Sequence, residues 1–506
     1  MMKYLLRTAL AVTMVISVVG SATAVELPEG PCGSKEPGKS QRRKAGEGLP
    51  PLPLPVTPQR RTEKKRPPSP PPLVAKITHG KVYTVKREGK SVKYHDWNKD
   101  PGDIKTLLNQ ANKELDFRYT SKRGPLKSFP PDPARYPVYY YTGSHGFSLS
   151  DAQVKKIRQF VRSGGTVWGD TCFGQPEFFK AFIKQMSKVF PGREFRRLPP
   201  RHPVYHSFYD IETVQYIRDV PDIEGKKGPP VLYGLEVGCR TPIIISRYDL
   251  SCGWSGHVRE GSMGVHPSDA RKLGLNLITY TLGTYRAGRY QGQAKIYHEK
   301  DKETRGDFMF VQASVGDNWN TQPNAIMNLM KAVSKQTSVK VTFRRNTVDL
   351  TSSNLQQYPF LYLTGHHDFQ LSQEQVKALR RYLESGGFLL ASACCGRRGF
   401  DAAFREQISR VLPGNKLSPL SKNHSVYSVL HEIKKVDYST YAKKTETKLP
   451  LLPLEGIEMG GTTPVIYSRY GLGGGWRPFQ HPFARDIASE DATQLGVNIV
   501  LYAMTH

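Results

Sequence analysis

Adding 222 to a residue number maps one half of this chain onto the other in a single register, and that repeat limits the fold more than any other feature. Trp97-Asn98 falls on Trp319-Asn320, Thr142-Gly143 on Thr364-Gly365 and His145 on His367. Ser163-Gly164-Gly165 falls on Ser385-Gly386-Gly387, Cys172 on Cys394, Gly174 on Gly396 and His202 on His424. Gly234 and Glu236 fall on Gly456 and Glu458, Ser246-Arg247-Tyr248 on Ser468-Arg469-Tyr470, and Gly253-Trp254 on Gly475-Trp476. Chance does not hold one register over about 180 residues. Two tandem copies of one domain are therefore expected, at 75–287 and 293–506, with 288–293 (GRYQGQ) as a short junction.

Hydrophobic periodicity gives each copy alternating strands and helices. In copy two, 308–315 and 360–363 read as strands, 338–343 alternates as a strand, and Ile326, Leu329, Met330 and Val333 give 322–334 a helical stripe. Ser372-Gln373-Glu374-Gln375 is a capping box opening a helix with Val376, Leu379, Tyr382 and Leu383 on its apolar face, ended by Gly386-Gly387. Ser150 to Gln153, with Val154, Ile157, Phe160 and Val161, repeats the device in copy one. A buried strand at 388–393, a Cys394-Cys395-Gly396 turn, a helix with Phe400, Phe404 and Ile408, a strand at 464–468 and a closing helix at 490–502 follow. Such alternation implies an α/β fold with a mostly parallel sheet covered by helices on both faces.

The order strand, Thr-Gly, capped helix, Gly-Gly, strand, Cys-x-Gly turn resembles the class I glutamine amidotransferase-like (flavodoxin-like) fold. The finer pattern resembles the domain of unknown function 4159, through YPFLYLTGHHDFQLS (358–372), RRYLESGGFLLASACCG (380–396), FDAAFREQ (400–407), PVIYSRYGLGGGW (464–476) and LGVNIVLYAMT (495–505). The resemblance spans both copies, over 80% of the chain. It implies a fold and carries little about function.

Lys3 and Arg7, the apolar run 8–20 and Ala22-Thr23-Ala24 read as a signal peptide at 1–24, with a run short of the ~20 residues of a spanning helix. The mature protein is expected to be exported, periplasmic or extracellular, and soluble. Residues 25–73 are Pro-rich and basic, including LPPLPLPVTP (49–58), and are expected to form a disordered, semi-stiff linker. Net charge is +29, of which residues 74–290 carry +15 and residues 291–506 carry +7. Arg193, Arg196, Arg197 and Arg201, with Lys226-Lys227, are the densest basic stretches. Such a field draws an acidic envelope polymer or an anionic membrane surface; no specific nucleic-acid partner is expected for an exported protein. A basic surface without a dedicated partner is the plainer alternative.

Candidate chemistry centres on Cys172 and Cys394. In active amidotransferases, which the fold resembles, a catalytic cysteine sits in Gly-x-Cys-x-Gly on a strained turn that exposes the sulfur and offers backbone N–H groups to an oxyanion. Here the second glycine is present as Gly174 or Gly396, whereas Asp170 or Ser392 replaces the first. A nucleophilic thiol also needs a base. His257 and His266 do not fall on His481, and His202 and His424 match within a helix-to-strand connection, so the copies share no base. A buried or loop cysteine is the structural alternative. Glu236, Arg247 and Tyr248, matched by Glu458, Arg469 and Tyr470, offer a ligand-binding set for a carboxylate, phosphate or sugar, or else a structural Arg–Glu pair with aromatic packing. His145 and His367 follow a strand's carboxyl end, where open α/β sheets bind ligands. His366-His367-Asp368 resembles a metal set, but copy one has only Ser144-His145-Gly146, so neither metal nor cofactor is expected. Cys239 and Cys252, unique to copy one, flank one strand and are a candidate disulfide, unless the strand holds them beyond ~7 Å. The reading that follows is a non-catalytic binding or interaction module of the envelope; the alternative is a cysteine-dependent hydrolase or amidase.

Overall fold

The computed structural model describes residues 70–87, 90–293, 308–316, 318–343 and 346–506. The expected leader and nearly all of the Pro-rich segment lie outside these residues. Each copy builds one seven-stranded sheet. In copy one the spatial order is Thr120–Pro125, Pro72–Thr78, Val138–Gly143, Thr166–Thr171, Arg240–Ser246, Leu232–Val237, Phe195–Arg197. In copy two it is Asn346–Val348, Val311–Ala313, Phe360–Gly365, Phe388–Ala393, Thr462–Ser468, Leu454–Met459, Ser418–Pro419. The first five strands of each order run parallel, and the Leu232–Val237 and Leu454–Met459 strands pair antiparallel with both neighbours. The expected α/β architecture with mostly parallel sheets is therefore present twice.

The central strands Val138–Gly143, Thr166–Thr171, Phe360–Gly365 and Phe388–Ala393 are buried at every residue, as helices on both faces require. Both predicted capping boxes form. Ser150 caps the helix Asp151–Arg162 and Ser372 the helix Gln373–Glu384, each accepting from the backbone N–H three residues on, while Gln153 and Gln375 return the bond. Ser372→Ala is expected to lower stability by about 1 kcal/mol, read as a shift in the thermal midpoint.

Four features differ from the sequence reading. The 308–315 strand contracts to Val311–Ala313, paired on both sides, and 338–343 pairs only through a bridge of Val341 to Phe308. The junction 288–293 is no loop: the helix Pro267–Gln293 runs through it. Finally, the register places Ala75 and Lys76 opposite Tyr139 and Tyr140, and Val311 and Gln312 opposite Leu361 and Tyr362. Lys76 thus corresponds to Gln312, so the offset there is 236. The excess matches the hairpin Val82–His95, which copy one inserts after its first strand.

The copies meet head to tail. The Gly238-Cys239 turn, between the strands Leu232–Val237 and Arg240–Ser246, reaches the carboxyl ends of Phe360–Gly365 and Phe388–Ala393, where Cys239 Sγ lies 3.4 Å from Cys394 Sγ. The matching turn of copy two is Gly460-Gly461, and a Cβ at either glycine would meet open space. Among the described residues no helix is long and apolar enough to cross a membrane.

Candidate functional site

The Cys-x-Gly turn is built alike in both copies. Phe173 (φ 59°) and Cys395 (φ 56°) take left-handed backbone, uncommon for non-glycine residues, and Gly174 and Gly396 continue it at +70° and +61°. The strain thus falls one residue after the cysteine. Cys172 is 1% exposed and Cys394 3%, so the turn buries the sulfur rather than presenting it. The residues that replace the first glycine tie down the loop after the last central strand. Asp170 accepts from the N–H groups of Leu250 (2.8 Å) and Ser251 (3.3 Å); Ser392 Oγ accepts from Leu472 N–H (3.1 Å) and donates to the Tyr470 carbonyl (3.3 Å).

In copy one Cys172 packs with Phe173 and Cys252. The Phe173 N–H, in position to serve an oxyanion, donates to the Asp249 carboxylate at 2.7 Å, placing negative charge where an oxyanion would stand. His145 bonds Asp96 at 2.9 Å through Nδ1 and stacks on Tyr83. In copy two Asp486, reached by the bridge to Gly471, supplies the buried carboxylate from the other side, in space left by Gly471 and Gly474. Burial raises the Asp486 carboxyl to about 7.

At the junction the picture changes. His366 Nε2 stands 3.1 Å from Cys394 Sγ, and His366 Nδ1 stands 3.1 Å from Glu236 Oε2, a residue of copy one. Glu236 also pairs with His367 Nε2 at 3.2 Å. Cys394 Sγ lies 3.7 Å from Cys395 Sγ and accepts from Gln322 Nε2 at 3.2 Å. Cys239, His366, Cys394 and Cys395 are all at most 3% exposed. Burial works to raise the Glu236 carboxyl, but hydrogen bonds from His366 and His367 hold it well below the usual range. Burial works to lower His366, but the adjoining Cys394 and Cys239 sulfurs and Glu236 raise it well above the usual value. Among the sulfurs, Cys239 is held well down against burial by its cysteine neighbours and Arg477, while Cys394 and Cys395 are pushed up. One ionised sulfur thus suppresses ionisation of the other two.

Beside this cluster opens a cavity of about 560 Å³. Copy one contributes Arg193, Arg196, Arg197 and Arg201 to its wall; copy two contributes Arg397, Arg398 and Arg485. Against these seven stand Glu194, Glu236 and Asp368. The four arginines of copy one are the basic stretch picked out by composition. Glu236, His366 and His367 line the cavity, whereas the cysteine sulfurs lie behind them.

The other candidate residues are placed as follows. Glu236 does not join Arg247 and Tyr248: Arg247 lies over the Tyr248 and Phe179 rings and donates to the Gly174 carbonyl at 2.9 Å. Arg469 lies over Tyr470 and bonds Glu446 at 3.2 Å, with Glu458 elsewhere, on the strand Leu454–Met459. These arginines pack against aromatics, while the expected pairing with Glu236 or Glu458 does not form: Glu236 bonds His366 and His367, and Arg469 bonds Glu446. His202 and His424 are turn caps: each accepts the backbone N–H two residues on through Nδ1, and each Nε2 meets a threonine at 3.0 Å, Thr241 or Thr463. The candidate Cys239–Cys252 bridge does not form, because the two thiols belong to different clusters, Cys252 beside Cys172 and Cys239 beside Cys394. The sequence placed His366 only in a His-His-Asp set and Cys239 only in a candidate bridge to Cys252; neither was joined to Cys394, because their counterparts, Ser144 and Gly461, give no matching signal.

Fold and site together define a tandem α/β protein whose two copies close one basic cleft over a histidine–cysteine cluster. The chain belongs to the family described as Domain of unknown function (DUF4159), whose profile matches residues 82–282 and 307–504, one segment in each copy. Comparison with curated proteins returns no match. Among solved structures, alpha-L-fucosidase isoenzyme 2 from Paenibacillus thiaminolyticus is 11% identical over 48% of this chain and 37% of its own, with a TM-score of 0.20. A likeness that slight carries no argument about fold or activity, and this chain spans well under half of that structure's length.

Proposed function

We propose that this protein is an exported binding module that holds a segment of an acidic envelope polymer in the cleft between its two copies. The observation that carries this reading is the convergence of seven arginines, four from one copy and three from the other, on one cavity with three carboxylates. Arg398 and Arg485 also pair with Glu446, at 3.6 and 3.0 Å, and Glu236 is engaged by two histidines; cationic groups still outnumber the carboxylates around the cavity. Guanidinium groups set around a concave surface suit phosphate or carboxylate groups spaced along a chain. A flat membrane face cannot enter such a cleft, which favours the polymer over lipid headgroups. Export rests on the leader-like residues 1–24.

Fluorescence titration of the full chain with labelled inorganic polyphosphate tests the reading. Saturable binding is expected, weakening at least tenfold between about 0.05 and about 0.5 M salt, with weaker binding to phosphatidylglycerol vesicles. Failure to bind polyphosphate at low salt, or a preference for the vesicles, would defeat it.

A second reading, a thiol hydrolase, draws on the Cys394–His366–Glu236 line, which has the order nucleophile, base, orienting carboxylate. Against it, Cys394 is crowded by Cys239, Cys395 and Gln322 and sits behind the cavity wall. Hydrolysis of amide or ester probes that is abolished in Cys394→Ala and retained in Cys172→Ala would establish this reading over the first.

A further inference from the structure

We propose that Cys239, His366, Cys394 and Cys395 form a tetrahedral site for a zinc-class divalent cation that joins the two copies. This goes beyond the polymer-binding reading and does not depend on it.

The donor set is three thiols and one imidazole, a combination typical of closed structural zinc sites. With metal–sulfur bonds of about 2.3 Å and metal–nitrogen bonds of about 2.0 Å, tetrahedral geometry sets sulfur–sulfur edges near about 3.8 Å and sulfur–nitrogen edges near about 3.5 Å. The edges here are 3.4 Å for Cys239–Cys394, 3.7 Å for Cys394–Cys395 and 3.1 Å for His366 Nε2–Cys394, and all four donor atoms lie within 4.8 Å of one another. Four donors converging this closely leave the room that a single ion fills.

The surroundings fit as well. Glu236 accepts from His366 Nδ1 and aims Nε2 at the sulfurs, so that Nε2 would present its lone pair to a metal on losing its proton, as the carboxylate behind a metal-bound histidine arranges. Glu236 is therefore a positioning residue. Gln322 donates an N–H to the Cys394 sulfur. Three thiolates, one neutral imidazole and a divalent ion sum to one negative charge, and the buried Arg477 within electrostatic reach of all three cysteines answers it. Arg477 Nη2 stands 3.9 Å from Asp486 Oδ2, and Arg477 Nε and His481 Nε2 are buried without hydrogen-bond partners. Loading removes the protons still held by the thiols and the Nε2 proton of His366, and those protons pass to solvent.

Copy one offers an internal contrast. Cys172, Cys252 and Asp249 also lie together, but they are only three, and Asp249 already accepts from the Phe173 and Cys252 N–H groups and the Ser251 hydroxyl. That trio is expected to bind no metal.

The test is metal content and Co²⁺ spectroscopy on the full chain, purified under reducing conditions from zinc-supplemented culture. About one Zn²⁺ per chain is expected. Exchange for Co²⁺ should give thiolate charge-transfer absorption and the intense visible bands of a tetrahedral centre, a readout that needs no variant. Cys395→Ser and Cys239→Ser should lose these signals, Cys172→Ser should keep them, and Glu236→Gln should weaken Zn²⁺ binding about tenfold or more. Absence of both zinc and the tetrahedral Co²⁺ spectrum in the unaltered chain would overturn the proposal. So would a Cys239–Cys394 disulfide in protein isolated without reductant, or equal loss of metal in Cys172→Ser and Cys395→Ser. Polyphosphate binding that fails while zinc is retained would refute the polymer reading alone.

Discussion

Replacing Asp103 by alanine is expected to destabilise copy one by about 3–5 kcal/mol, the cost of stranding a buried charge. Lys76 sits in the core strand Pro72–Thr78, 5% exposed, with Nζ 2.8 Å from both Asp103 carboxylate oxygens and 2.9 Å from the Asp100 carbonyl. The rings of Trp97 and Tyr140 flank the ammonium, and water has little access. Copy two shows how the same place is filled without charge. The position of Lys76 is Gln312, whose amide donates to the Trp319 carbonyl at 2.7 Å, and the position of Asp103 is Ala325. The double variant Lys76→Gln, Asp103→Ala should therefore recover most of the loss, because removing both partners of a buried pair is far milder than removing one. Urea denaturation that follows the copy one transition measures both. A single variant no worse than the double would contradict this account of the pair.

Gly396→Val is expected to cost about 3 kcal/mol or more. Two effects add. The residue holds φ +61°, where a β-branched side chain is strained, and a Cβ there would stand 2.5 Å from Arg485 Cβ and 2.8 Å from its carbonyl oxygen. Arg485 is backbone-paired to Cys395, so it cannot yield without moving the cysteine turn. Gly414→Ala separates the contributions: its φ is +91° with open space around it, so only the backbone term of about 1–2 kcal/mol applies. Thermal melts of the two variants should differ accordingly.

Much of the fold is legible in the residues because it rests on local chemistry. The two capping boxes, the Gly-Gly helix stops and the largely apolar central strands each declare themselves within a dozen residues, and the repeat doubles every signal. The site is harder to read for the opposite reason. Matching the copies finds what they share, and the junction cluster is made where they differ: His366 against Ser144, Cys395 against Phe173, Cys239 against Gly461. Only Cys394 has a counterpart of its own kind. Glu236 was visible as a repeated acid, but its partners belong to the other copy, 130 residues away in sequence. The uniqueness of Cys239 to copy one was itself the signal. It pointed outward, to a neighbouring copy, rather than to Cys252 across the strand.

The central claim is that the cleft between the copies, and not overall basicity, takes an acidic chain. The most direct measurement compares two double charge reversals that change net charge equally. Arg197→Glu with Arg398→Glu alters one exposed arginine on each wall; Lys226→Glu with Lys227→Glu alters an exposed basic pair outside the cleft. Polyphosphate affinity should fall at least tenfold in the first and by less than about twofold in the second. Equal losses in the two would contradict a cleft-centred site.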